Sequence, residues 1–193
     1  MRIYSRASPI RIVPGFSFFA VIGFLICTDR EGVSLLCIFS CILHELGHLT
    51  VMLALNDPPY EIRLYGGGIH ICGGSTSLPA VIAGCAVNAA LFVLFGLIPW
   101  EQRGLRLFGA VNLLICLFNL IPVRDLDGKL LLDKLLLRRL PADKAVHVSE
   151  ICERTASALI LPAVVILVFC GVLNFSAIIF FFYLFAVEIF DKL

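Results

Sequence analysis

Long runs of apolar side chains constrain this chain more than any other feature of its sequence. Residues 32–55 contain a single charged side chain, and residues 79–98 and 156–187 contain none. A helix of about 20 apolar residues is long enough to cross the hydrocarbon core of a bilayer. Hydrophobic side chains make up 60% of the chain, above the roughly 45–50% of soluble domains. The sequence therefore predicts an all-α polytopic membrane protein.

The apolar runs and the charges between them predict about six transmembrane helices. The expected spans are residues 12–27, 32–55, 79–98 and 107–123, followed by a helical hairpin at residues 156–187. Lys and Arg collect before the first span and again between residues 129 and 154, and such clusters mark cytoplasmic segments. We therefore expect one membrane-embedded domain, residues 1–193, in the cell membrane, with both termini in the cytoplasm.

Residues 60–77 differ from the rest of the chain. Apolar and polar side chains alternate, three glycines follow at 66–68, and a second alternating run comes after them. This pattern predicts a small cytoplasm-facing β-hairpin, with a flexible loop as the alternative. An exposed strand edge there could bind an extended peptide by backbone hydrogen bonds. We interpret His70 as an ordinary loop histidine.

The second apolar run contains the pentapeptide His44-Glu45-Leu46-Gly47-His48. Ionisable groups within a membrane span are costly and therefore indicate function. Residues four apart lie on one face of a helix, so His44 and His48 can bind one cation. This is the H-E-x-x-H metal motif, in which the glutamate acts as general base. Cys41 shares that helix face, where we interpret it as a packing residue.

A catalytic zinc site takes three protein ligands and keeps one position open, so a third ligand is needed. Pro122 is expected to end or bend the fourth span, and Asp125 and Asp127 follow it on the same predicted side of the membrane as the histidines. Either aspartate can complete the site. Asn88 is the polar exception in the third span. It serves either as an interhelical hydrogen bond or as a donor to a substrate carbonyl.

Composition argues against a nucleic-acid-binding protein and against a disulfide-stabilised fold. The net charge of +1 leaves no basic surface large enough for nucleic acid. The 8 cysteines include no C-x-x-C pair, so no disulfide framework is expected. A non-proteolytic membrane metal-binding or carrier protein remains as an alternative, because it would need the histidines but not Glu45.

Three segments resemble the site-2 protease family of intramembrane zinc metalloproteases. They fall in order within residues 32–130, the expected three-helix catalytic core: His44-Glu45-Leu46-Gly47-His48, Ala83-Gly84-Cys85-Ala86-Val87-Asn88, and Asn119-x-x-Pro122-x-x-x-x-Asp127-Gly128. Within the family the chain most resembles the bacterial sporulation branch, of the stage IV sporulation protein FB type. Cys85 departs from the family pattern, which often has proline there, and Arg124-Asp125 replaces a stretch that is usually apolar or rich in proline.

The resemblance implies that His44, His48 and Asp127 bind Zn²⁺, that Glu45 is the general base, and that Asn88 lies near the reacting carbonyl. It implies a site open to the cytoplasm and a membrane-anchored protein substrate, with a tethered pro-sigma factor of sporulation as the leading candidate. Inhibitory membrane proteins are expected as partners. Zinc peptidases that trim prenylated proteins share the first motif, but their third ligand is typically a glutamate. An inactive relative is a further alternative.

Overall fold

The computed structural model describes residues 10–29, 32–66, 68–73 and 77–170. These residues form mainly helices, with one small sheet. In chain order the elements are β1 (Arg11–Pro14), α1 (Phe16–Thr28), α2 (Val33–Ala54), β2 (Pro59–Tyr65), β3 (Gly68–Gly73), α3 (Leu78–Phe92), α4 (Arg103–Asn119), α5 (Asp127–Leu137) and α6 (Ala142–Phe169). The chain divides into two compact units, residues 1–120 and 121–193. The expectation of a single domain stays a prediction.

Two helices among the described residues are long and apolar enough to cross a membrane. One is α2, Val33–Ala54, and the other runs from Leu78 to Leu97, because a π-helical turn at Val93–Leu97 continues α3. Both match spans expected from the sequence. The apolar helices agree with the predicted membrane protein, while the count of six spans stays a prediction. Residues 171–187, the second half of the predicted hairpin, lie outside the described residues.

The predicted β-hairpin is confirmed and belongs to a three-stranded sheet of order β1-β2-β3. Strands β2 and β3 pair antiparallel, with Arg63 opposite His70. Strand β1 pairs parallel to β2, from Arg11 opposite Glu61 to Pro14 opposite Leu64. The sheet therefore connects β1, which precedes α1, to the hairpin of β2 and β3, which follows α2.

The predicted first span, residues 12–27, is wrong at its beginning. Its first residues belong to β1, and the helix α1 starts at Phe16. The β-branched side chains of Ile12 and Val13 favour a strand. Pro14 cannot donate to a strand partner, and it is tolerated here because β1 is an edge strand. The pairing continues one residue further, since Gly15 N donates to Leu64 O at 2.7 Å.

Two later boundaries also differ from the expected ones. The fourth span was expected at residues 107–123, whereas α4 runs from Arg103 to Asn119. It ends before Pro122, because a proline disfavours helix in the residue that precedes it. The helical hairpin was expected to begin at residue 156, whereas α6 begins directly after Pro141 and continues to Phe169. The charged segment of residues 129–154 therefore includes most of α5 and the first turns of α6.

Helices α2, α3 and α4 pack on one another within the first unit. Helices α2 and α3 approach closely at Gly47, where a β-carbon would lie 2.9 Å from the carbonyl oxygen of Ala83. Small residues allow this kind of contact between membrane helices. Buried polar residues line the same interfaces: Ser40, His44, His48, Asn88 and Asn112. Polar side chains are therefore buried among the apolar residues where these helices meet.

In the second unit, a charged network joins α5 to α6. Lys129 Nζ donates to Asp133 at 2.8 Å and to Ser149 Oγ at 2.8 Å, and it lies 3.6 Å from a carboxylate oxygen of Glu153. Ser149 is 1% exposed, so its hydroxyl depends on protein partners. All eight cysteines of the chain lie in the described residues, and none forms a disulfide there.

Candidate metal centre

Helix α2 brings two imidazoles together inside the first unit. His44 and His48 lie four residues apart and are only 3% and 6% exposed. Their Nε2 atoms are 3.1 Å apart, and the two rings meet nearly edge to face. The two histidines therefore point into the same small space.

The other ring nitrogen of each histidine is held by α3. His48 Nδ1 lies 2.7 Å from the carbonyl oxygen of Ala80. A carbonyl oxygen can only accept, so Nδ1 of His48 carries the proton. His44 Nδ1 lies 3.1 Å from Asn88 Oδ1 and donates in the same way. In both neutral rings the Nε2 atom then carries a lone pair, which is the form that binds a metal.

Gly84 of α3 leaves room next to these two nitrogens. A β-carbon at this position would lie 2.6 Å from His44 Nε2 and would also overlap His48 Nε2. Any larger residue would thus occupy the space into which both lone pairs point. The absence of a side chain at Gly84 makes that space a cradle between α2 and α3.

This donor set fits Zn²⁺, the cofactor predicted from the sequence. Two nitrogens bound to one tetrahedral zinc at about 2.0–2.1 Å would be about 3.3 Å apart, close to the observed 3.1 Å. Two imidazole lone pairs held this near each other repel unless a cation lies between them. Both rings also have the outer hydrogen bond that typically orients a histidine ligand.

Glu45 lies next to the first histidine on α2 and is half-buried. Its role as the general base, which the motif predicts, stays a prediction. The alternative metal-binding residues are placed less favourably. Cys41 is exposed, and His70 lies exposed on β3.

Asn88 makes the interhelical hydrogen bond that was one of its two predicted roles, while its role as a donor to a substrate carbonyl stays a prediction. Its Oδ1 atom accepts from His44, so it forms an interhelical hydrogen bond between α3 and α2. Its Nδ2 atom is completely buried and has no hydrogen-bond partner among the described residues. A buried donor of this kind is costly. It fits a role in which the amide N–H binds an oxygen that arrives with the substrate.

The two candidate aspartates belong to the second unit. Asp125 is exposed and has a positive φ of 64°, in the turn before α5. Asp127 is half-buried and is the first residue of α5. The choice of Asp127 as the third ligand stays a prediction, and its partly buried position suits a ligand better than the exposed turn does.

The sequence reasoning missed the roles of two groups of α3 that lie next to the histidines, the Ala80 carbonyl and Gly84. The Ala80 carbonyl has no side-chain signal at all, because the backbone supplies the oxygen. Gly84 did leave a signal, since a glycine within an apolar helical run costs about 1 kcal/mol relative to alanine. A glycine at such a cost indicates close packing, and here the neighbours are the two imidazoles.

Proteins of known name and structure resemble the chain over different lengths. It is 34% identical over 108 residues to sll0528 of Synechocystis and 31% identical over 124 residues to Rip3 of Mycobacterium tuberculosis. Both carry provisional names as zinc metalloproteases. These alignments include 49% and 56% of this chain but only 28% and 32% of the relatives. The matched region is therefore about a third of their length.

The fold comparison covers almost the whole chain. The structure of a site-2 protease from Methanocaldococcus jannaschii matches with a TM-score of 0.58 and 21% sequence identity, over 96% of this chain and 90% of that protein. No protein-family model matches the chain. The chain therefore has the fold of the site-2 proteases and a sequence related to named zinc metalloproteases, which confirms the resemblance to the site-2 protease family.

Proposed function

We propose that this chain is an intramembrane zinc metalloprotease, which hydrolyses a peptide bond in or near a transmembrane segment of a membrane-anchored protein. The observation that carries the proposal is the pair of Nε2 atoms 3.1 Å apart, each on a ring anchored through Nδ1. A general base follows the first ligand directly in sequence. The fold and the relatives' names support the same reaction class.

His44, His48 and Asp127 would hold the metal, and the fourth position is left to the reaction. Bound Zn²⁺ supplies an activated water near neutral pH and polarises the carbonyl that is attacked. Glu45 accepts the proton of the attacking water and returns it to the leaving amide nitrogen. Asn88 Nδ2, the buried donor, stabilises the negative charge that develops on the carbonyl oxygen.

The strand pairing supports the proposed membrane topology. Strand β1 precedes α1 and pairs with β2, which follows α2. The chain between them must therefore return to the face of the membrane from which it left. The arginines before β1 favour the cytoplasm for that face, so we place the amino terminus, the hairpin and the opening of the site there. A cytoplasmic carboxyl terminus belongs to the same proposal.

The substrate belongs to the proposal as well. Strand β3 pairs with β2 on one side only among the described residues, and an extended segment of the substrate could add to its other edge. A transmembrane helix hides its amides in its own hydrogen bonds and must unwind before it is cut. We therefore expect substrates with helix-weakening residues near the scissile bond. A sporulation pro-sigma factor and inhibitory membrane partners remain predictions from the sequence resemblance.

The replacement Glu45→Gln tests this function against the metal carrier. The full chain, purified in detergent, would be assayed for zinc content and for cleavage of synthetic single-span proteins with glycine inside the span. A protease keeps its zinc and loses turnover, because glutamine cannot accept the proton. The control Glu150→Gln changes an exposed carboxylate of α6 and should leave both quantities unchanged. Undiminished cleavage by Glu45→Gln would exclude the proposed role of this residue.

A further inference from the structure

A charged cavity of about 460 Å³ lies in the second unit. It is lined by three basic and two acidic side chains: Arg124, Lys129, Arg154, Glu150 and Glu153. Arg124 belongs to the turn before α5, and Lys129 to the first turn of α5. The other three share one face of α6, because residues three and four apart are neighbours on a helix. None of the five belongs to the predicted metal centre.

Lys129 is already engaged by protein partners. Its Nζ atom donates to Asp133 at 2.8 Å and to Ser149 Oγ at 2.8 Å, and a carboxylate oxygen of Glu153 lies 3.6 Å away. An ammonium group has three N–H donors, and these contacts account for them. Lys129 therefore holds α5 against α6 beside the cavity and leaves the recognition of a ligand to the other side chains.

Arg154, Glu150 and Arg124 remain available to a ligand. Arg154 Nη2 lies 3.6 Å from Glu150 Oε2, beyond the range of a good hydrogen bond, and both side chains are exposed. Arg124 is exposed and makes no hydrogen bond or ion pair within the part of the chain that the structure describes. The cavity therefore offers two guanidinium groups to an anion and a carboxylate to a cation.

The sequence of α6 becomes apolar directly after this cavity. No charged side chain follows Arg154 until Glu188. In a protein embedded through such an apolar run, the last charged residues lie at the depth of the lipid headgroups. Leu130 and Ile151, each next in sequence to a lining residue, are exposed and can contact acyl chains. The surroundings therefore favour a lipid over a small soluble ion.

We propose that this cavity binds the headgroup of a phospholipid that carries both a phosphodiester and a primary ammonium group, as phosphatidylethanolamine does. The planar fork of a guanidinium matches two phosphate oxygens, so Arg124 and Arg154 hold the phosphate. The N–H donors of the ammonium group bind the carboxylate of Glu150. The volume lies within the range of about 300–1,000 Å³ that is usual for small-molecule sites.

The two signs of charge in the lining select this headgroup. An anionic headgroup without an ammonium group would bring its phosphate close to Glu150, and like charges placed together disfavour the wrong ligand. The inference goes beyond the proposed protease. It uses the proposed placement in the membrane and none of the predicted zinc ligands.

Native mass spectrometry of the full chain in detergent tests the proposal. The protein would be titrated with phosphatidylethanolamine and with phosphatidylglycerol of the same acyl chains, and the apparent Kd of the first bound lipid measured. Phosphatidylglycerol keeps the phosphodiester but has no ammonium group. We expect the wild type to bind phosphatidylethanolamine about two- to fivefold more tightly, the contribution of one exposed ion pair. Equal affinities, or tighter binding of phosphatidylglycerol, would overturn the proposal.

Two variants should shift these affinities in different ways. Glu150→Gln removes the partner of the ammonium group and the competitor for Arg154. Phosphatidylethanolamine should then bind more weakly and phosphatidylglycerol more tightly, and misfolding cannot produce opposite shifts. Arg124→Gln should weaken the binding of both lipids by about two- to fivefold. A Glu150→Gln protein in which both affinities move in the same direction would contradict the assigned roles.

Arg139→Gln is the matched control for Arg124→Gln. It makes the same change of charge at an exposed position just after α5, outside the lining of the cavity. Neither lipid affinity should change. Equal losses in Arg139→Gln and Arg124→Gln would show attraction of lipid by the overall charge of the protein and would overturn the site.

A soluble headgroup distinguishes a lipid site from a site for a free phosphate compound. Glycerophosphoethanolamine has the same charged groups but no acyl chains. We expect a large excess of it to leave bound phosphatidylethanolamine in place, because each buried methylene of a lipid chain adds to the affinity. Displacement by this excess would assign the cavity to a soluble ligand and overturn the lipid proposal.

Discussion

His44 Nδ1 lies 3.1 Å from Asn88 Oδ1, so the first predicted ligand is oriented by the same amide whose Nδ2 atom is buried without a described partner. The Asn88 side chain thus orients His44 through its Oδ1 atom and has a hydrogen-bond donor in its Nδ2 atom. The two roles can be separated by substitution, because aspartate keeps the acceptor and removes the donor.

We expect Asn88→Asp to retain zinc, since a carboxylate can accept from His44 Nδ1. Its kcat should fall by about 10²–10³, the cost of removing one donor to a developing oxyanion. Asn88→Ala should lose the acceptor too and weaken zinc affinity by about 10–100-fold. Zinc titration of both variants, together with kcat on a single-span substrate, checks the separation. Equal kcat values in Asn88→Asp and wild type would contradict the role of Nδ2.

Gly84→Ala should disrupt the metal centre, because the added methyl group would lie against both Nε2 atoms. Overpacking of this kind costs about 1–3 kcal/mol of folding free energy, and zinc content should fall with it. Gly23→Ala is the matched control in α1, since a β-carbon there has nothing within 4 Å. Thermal unfolding and zinc analysis of the two variants in one detergent make the comparison. Full zinc occupancy in Gly84→Ala would show that the cradle is not the binding space.

The third ligand can be identified by zinc content. We expect about one zinc per chain in the wild type and none in His44→Ala. Asp127→Asn should bind zinc more weakly, because the amide is a poorer ligand than the carboxylate, whereas Asp125→Asn should be unaffected. Elemental analysis after dialysis against a weak chelator gives the order of affinities. Loss of zinc in Asp125→Asn with retention in Asp127→Asn would reverse the assignment.

Asn112 and Ser40 join α4 to α2 through a fully buried hydrogen bond of 3.0 Å. Removing one partner should leave the other unsatisfied, so Ser40→Ala and Asn112→Ala should each destabilise the first unit by about 1–3 kcal/mol. Their coupling in a double-mutant cycle should be about 0.6 kcal/mol, the average for hydrogen bonds between membrane helices. Unfolding in mixed micelles measures all four proteins. Strict additivity would show that the bond contributes nothing.

Lys129 is the centre of the charged network between α5 and α6. Lys129→Met removes the donor shared by Asp133 and Ser149, and we expect a loss of about 1–3 kcal/mol from the stability of the second unit. Lys144→Met, at an exposed position of α6, should change stability by about 0.5 kcal/mol or less. Chemical denaturation of both variants, followed by limited proteolysis, tests the difference.

Local patterns predicted part of this molecule well. The metal motif and the hairpin depend on spacing along the chain, and both were readable. Strand β1 was missed because its partner lies far along the sequence, and apolar Ile-Val-Pro reads equally well as part of a span. The orientation of His48 by the Ala80 carbonyl could not be predicted from the sequence, for another reason. Any residue supplies that oxygen, so only the packing of α3 against α2 determines the contact.

The parallel pairing of Arg11 with Glu61 also orders the events of biosynthesis. The first strand is synthesised before its partner, because α1 and α2 lie between the two in the chain. Until β2 is available, the backbone groups of β1 remain unpaired, and an unpaired strand can pair with a wrong partner. In the proposed topology, closure of the sheet therefore requires that α1 and α2 have been inserted as a returning pair, with β1 and β2 on the same face of the membrane.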